Sequence, residues 1–182
     1  MPRIPDTLVD PLLVALNDCL YEELIDTAYG PPHRSYVTHS VGPPLDDGCW
    51  CQGETVIGGQ PVATNGDGRV RLVTLGPDTT IILGPASSRC PPGWQALIEL
   101  STSRCIPVSD SAEPLPADTM EQVALELGDD RAALLRVLQC CEALDDRDIS
   151  VSRVFPVGPQ GACAGWAMEI IVSLSGGPGG CP

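Results

Sequence analysis

The sequence predicts an α+β domain: an antiparallel sheet with helices packed on one face, joined by long Pro/Gly-rich loops. Three observations predict it. A leucine stripe of helical period opens the chain, several runs of alternating polarity follow, and a second helical pattern precedes two alternating runs around a Gly-rich connection. The 182 residues suit a single core, since a chain of this size buries roughly 70% of its unfolded surface. One domain is expected over residues 1–175, with a Gly/Pro-rich tail over 176–182.

From Thr7 to Thr27, Leu8, Leu12, Leu16, Leu20 and Leu24 recur at every fourth position, with Val9 and Leu13 beside them. That is one apolar helical stripe. Asp6 or Thr7 is the expected N-cap, Pro11 falls in the first turn where proline costs little, and the helix stops before Gly30, Pro31 and Pro32. Residues 30–48 read as a loop with a short extended piece over His33 to Ser40.

A strand is expected from Cys49 to Ile57, ending at Gly58 and Gly59; Asn65 to Gly68 is a turn, and Arg69 to Leu75 alternates as a strand. Thr79 to Leu83 is another short apolar run, Gly84 to Gly93 is loop, and Gln95 to Ile106 is a long strand. After Pro107, Pro114 and Pro116 a second helical region spans Asp118 to Leu144. Its stripe is Met120, Val123, Ala124 and Leu127, then Leu134, Leu135, Leu138, Cys141 and Leu144, with a break or kink expected at Gly128 to Asp130. Ile149 to Val157 and Trp166 to Leu174 alternate on either side of Gly158 to Gly165, which reads as a β-hairpin.

Charge excludes one class of function. There are 24 acidic residues against ten basic ones, a net of −14, and every basic residue is arginine. Gripping a phosphate backbone needs a cationic stripe, and the arginines are scattered, Arg69 and Arg71 being the closest pair. An acidic wall instead suits a conduit, because like charge keeps passing DNA from sticking. Residues Met1 to Asp6 lack a charged-then-apolar leader and no apolar run nears ~18 residues, so a soluble protein made in a cytoplasm is the expectation.

Nine cysteines without such a leader stand out: Cys19, Cys49, Cys51, Cys90, Cys105, Cys140, Cys141, Cys163 and Cys181. They imply metal binding, buried thiols, or disulfides formed on later exposure to an oxidising medium. Cys49 and Cys51 with His33 and His39 offer four ligand types, but zinc sites favour a two-residue gap, and a one-residue gap in a strand points the side chains to opposite faces. Disulfide or burial is preferred to metal. Cysteine catalysis needs a base to hold the thiolate; both histidines lie in one Pro-rich loop, away from any nucleophile signature.

Gly158 to Gly165 lacks the lysine and helix N-terminus of a phosphate loop. The pairs Asp46–Asp47, Asp129–Asp130 and Asp145–Asp146 read as caps and solvated corners, and 4% aromatics is too few for a sugar cleft. Neighbouring strands can bring cysteines within disulfide reach, whereas Cys141, on the apolar face of the second helix, reads as a buried thiol. No catalytic, cofactor-binding or metal-ligating residue is assigned.

The N-terminal helix, the Pro-Pro loop before Asp46-Asp47-Gly48-Cys49-Trp50-Cys51, the strand ending in Arg104-Cys105, and Val157 to Gly165 before an alternating strand resemble a known pattern. It is that of virion proteins of actinobacterial tailed phages, the head-to-tail connector and tail terminator subunits. The resemblance implies a structural protein without enzymatic activity or cofactor. It implies a homo-hexameric ring in the virion neck, between the tail tube protein and the head–tail connector or stopper. Genomic DNA passes through without specific binding, and no membrane is involved. Ring contacts are expected from the hairpin Ile149 to Leu174 and the loop Gly30 to Gly48, with Trp166 on the buried face. The alternatives are a head–tail stopper or other minor neck or tail protein, a disulfide-stapled module that binds a host surface, and a zinc or redox protein.

Overall fold

The computed structural model describes residues 8–39, 51, 53–77, 93–109 and 114–174. In chain order the elements are α1 (Asp10–Ile25), β1 (Arg34–Thr38), β2 (Gly53–Ile57), β3 (Gln60–Thr64), β4 (Asp67–Pro77), β5 (Trp94–Cys105), α2 (Ala117–Cys140), β6 (Ile149–Gln160) and β7 (Cys163–Leu174). A 3-10 turn over Glu142–Leu144 follows α2. The expected α+β class holds: two helices lie against a five-stranded sheet of order β1-β4-β5-β7-β6, and β2 with β3 form a separate two-stranded sheet.

Strands β4, β5, β7 and β6 pair antiparallel, and β1 joins at the edge in parallel with β4. Parallel neighbours need a long connection, which residues 39–66 supply. The two helices cover one sheet face. Leu12, Leu13, Leu16, Leu20 and Leu24 of α1 meet Leu134 and Val137 of α2 over Val70, Ile98, Leu100, Met168, Ile170 and Val172. Each such fully buried aliphatic side chain contributes about 1.5–3 kcal/mol.

The leucine stripe is the expected one, but α1 begins two to three residues later, with Val9 at the N-cap and no side-chain bond there. Asp6 and Thr7 lie outside the described residues. Helix α2 is continuous through Gly128, because the run of helix formers around one glycine outweighs its cost of about 1 kcal/mol. Its stripe is rotated from the expected one. Val123, Asp130, Ala133, Leu134 and Val137 are buried, while Met120 and Leu135 are exposed.

Two connections also differ. Gly58 and Gly59, both at positive φ, form a hairpin turn into β3, where the sequence reading stopped the strand. The second hairpin is tighter than expected. Strand β6 runs to Gln160 and β7 starts at Cys163, so Gly165 lies inside a strand, where its missing side chain lets the Thr102 carbonyl approach. The run Thr79 to Leu83, the loop from Gly84 and the tail 176–182 lie outside the described residues.

Candidate functional site

Side chains alternate across a strand, so the sheet face away from the helices collects the odd-numbered positions of β5 and β7. Cross-strand register there sets Arg71 opposite Glu99, Glu99 opposite Glu169, and Glu169 opposite Arg153. One charged row thus crosses four strands in the order plus, minus, minus, plus. Glu99, 1% exposed, receives Arg69 Nη2 at 3.0 Å and Arg71 Nη2 at 2.7 Å. Arg153 grips Glu169 with Nε at 2.8 Å and Nη2 at 2.6 Å, and its guanidinium lies 4.5 Å from the Phe155 ring centre. The bond to Glu169 and its charge hold the Arg153 guanidinium above its already high ordinary pKa.

Two carboxylates directly opposite each other repel; the flanking arginines offset that repulsion. The row therefore fixes strand register. Beside it lies a shallow cavity of about 270 Å³ lined by Thr74, Gly76, Gln95, Leu97, Ser152 and Ile171, none of them ionisable.

Under the helices a second polar cluster forms. Arg104, fully buried, donates Nε to Asp130 Oδ2 at 2.7 Å and Nη2 to Oδ1 at 3.0 Å. Its Nη1 donates to the carbonyls of Gly30 and Asn65. The guanidinium thereby ties the end of α1, the start of β4, and α2 to β5. Asp130 was expected at a solvated corner; instead it is 0% exposed, because continuous helix through Gly128 turns it inward. Asp129, Asp145 and Asp146 are exposed as expected, and Asp46 and Asp47 lie outside the described residues.

The metal candidates are not brought together. His33 Nδ1 lies 3.0 Å from Thr64 Oγ1, His39 Nε2 lies 3.1 Å from Asp10 Oδ1, and Cys51 is bonded to Cys105. Among the described residues no three His, Cys, Asp or Glu side chains cluster as ligands; Cys49, Cys90 and Cys181 lie outside them.

Disulfides are present, as expected for the strand and loop cysteines, and one joins the two helices. Cys51–Cys105 spans 54 positions and Cys19–Cys141 spans 122, with Cα atoms 5.2 and 5.6 Å apart. Cys163 is disulfide-bonded as well. Cys141 corrects the buried-thiol expectation: it is buried, but at the C-cap of α2 it faces Cys19 on α1 and is bonded to it. Cys140 is a free, exposed thiol.

Trp166 packs partly buried on the core, with Arg131 of α2 5.2 Å from its ring centre. Sequence reasoning missed the charged row and the Arg104–Asp130 pair; alternation placed Glu99 on the polar face of its strand, which was the available signal. No described helix is long and apolar enough to cross a membrane. Comparison of the chain with known protein families and with curated proteins finds no match.

Proposed function

We propose that this chain is a structural subunit of a phage neck: one of six in a tail terminator ring that caps the tail tube, joins it to the head connector, and completes the DNA channel. The proposal assigns no catalytic residue and no cofactor. Its partners are further copies of itself, the tail tube protein and the head–tail connector or stopper.

The observation that carries it is the fate of the cations. Arg34, Arg69, Arg71, Arg104, Arg136 and Arg153 are each ion-paired within the subunit. With a net charge of −14, the surface is left dominated by carboxylates. Such a surface repels duplex DNA and suits the wall of a conduit. The resemblance described above supplies the neck location.

Immunogold electron microscopy of tailed particles, with antibody to this chain, tests the location. Label at the head–tail junction is expected. Label confined to the distal tip overturns the proposal in favour of a host-binding module, which the disulfides would also suit.

A further inference from the structure

We propose that the β2–β3 hairpin is an arm that adds, through the outer edge of β2, to the outer edge of β6 in a second copy of this chain. The inference rests on the ring reading and deepens it by naming the contact that closes the ring.

Among the described residues both edges are open. Strand β6 pairs with β7 alone, and β2 with β3 alone. Among the described residues neither strand has a second backbone partner. A long unpaired edge is a template for another strand, and β6 offers a proline-free stretch over residues 149–155, ahead of Pro156. Its exposed positions include Val151, 46% exposed, and Arg153. The arm presents Val56 at 71% exposure, the most exposed large apolar side chain of the described residues.

Charge selects a second copy as the occupant. Two bodies of net −14 repel wherever their carboxylates face each other. Helix α1 carries Asp10, Asp18, Glu22 and Glu23, and α2 carries Asp118, Glu121, Glu126 and Asp129 besides Asp130. By contrast β6 contains no carboxylate and one arginine, while the arm contains Glu54 alone and no cation. Both strands thus carry little charge, and their single charges are opposite.

Side-chain faces fix the sense of pairing. Glu54 and Val56 share one face of β2. Arg153 and Phe155 share the open face of β6, opposite Glu169 and Ala167 of β7. A parallel addition sets Glu54 beside Arg153 and Val56 beside Phe155. Arg153 spends Nε and Nη2 on Glu169, which leaves Nη1 for the incoming carboxylate. Strand β2 is free of proline, whereas β3 has Pro61, which cannot donate to a ladder. Because arm and edge are different surfaces, the contact is heterologous, the kind that builds a ring when the rotation between copies closes.

The test uses the full chain with p-benzoylphenylalanine in place of Val56, irradiated as an equal mixture of ordinary and ¹⁵N-labelled protein. Cross-links between labelled and unlabelled copies, mapped to residues 149–160, are expected. In parallel, native mass spectrometry compares wild type with Val56→Asp and Val56→Pro; the two-residue turn pairs Ile57 with Gln60 and Thr55 with Val62, so the Val56 N–H points to the outer edge. Each variant is expected to raise the subunit dissociation constant at least about tenfold, since a buried charge or a lost donor spoils the ladder, with the melting temperature unchanged. A wild-type oligomer that survives both variants and cross-links elsewhere overturns this contact and leaves the ring reading standing. A wild-type chain that stays monomeric overturns the ring and this contact together.

Discussion

Arg104 and Asp130 form a bidentate ion pair with both side chains at 0% exposure, 26 positions apart in sequence. Taking two charges out of water costs several kcal/mol each, and the pair is tolerable because the guanidinium also meets the Gly30 and Asn65 carbonyls. Asp130→Ala strands the buried cation and is expected to cost about 3–5 kcal/mol. Asp129→Ala next to it, on the exposed side of the helix, is expected to stay within about 0.5 kcal/mol. Urea unfolding of the two variants checks the contrast, and equal losses would remove the structural role given to the pair.

The Cys19–Cys141 disulfide closes 122 positions of chain. A loop near that length removes unfolded-state entropy worth about 4–5 kcal/mol on the chain-entropy view. Cys19→Ala with Cys141→Ala is expected to lose about 3–5 kcal/mol, while Cys140→Ser, at an exposed free thiol, changes little. Thermal unfolding in non-reducing buffer compares them.

How much of this was legible depends on whether the signal was local. The α1 stripe could be read because Leu12, Leu16, Leu20 and Leu24 repeat at one helical spacing, and all four are buried. β5 was placed within a residue at each end for the same kind of reason. The charged row was not legible, because Glu99 and Glu169 meet only through the register between strands 70 positions apart. Asp130 was misjudged because a double aspartate after glycine imitates a turn, and only the burial of its helix face reveals its role. Cys141 was rightly placed on the apolar face, yet its bond depends on how α1 crosses α2, which no local pattern encodes.

Gly128 sits in the interior of α2, and a methyl group there would meet nothing within 4 Å. Alanine removes unfolded-chain freedom and adds helix propensity. Gly128→Ala is therefore expected to stabilise the protein by about 0.5–1 kcal/mol, read as a raised urea midpoint at unchanged slope. A loss would mean that this turn of the helix needs the glycine.

Gly165 and Gly161 separate two uses of glycine. A Cβ at Gly165 would run into the Thr102 carbonyl on the adjacent strand β5, whereas Gly161 has open space but a φ of +59°. Gly165→Ala must push two central strands apart and is expected to cost about 3 kcal/mol. Gly161→Ala carries only the left-handed backbone penalty of about 1 kcal/mol. The order of the two urea midpoints checks this, and a reversal would place the strain in the turn.

Tyr29 gives a pH signature. Burial first, then the negative charges of Glu126 and Asp130, push its hydroxyl up from 10.0 to about 12, against an opposing pull from Arg104. In the unfolded chain the group ionises near its ordinary value, so between pH 10 and 12 the unfolded state holds fewer protons than the native one. Stability from this group is complete below pH 10 and is lost as pH rises through about 12. Absorbance titration of tyrosinate is expected to show a late step near pH 12 that Tyr29→Phe abolishes. The variant's stability should also fall less steeply than wild type over that window. A titration curve unchanged by Tyr29→Phe above pH 11 would mean that the hydroxyl is open to water.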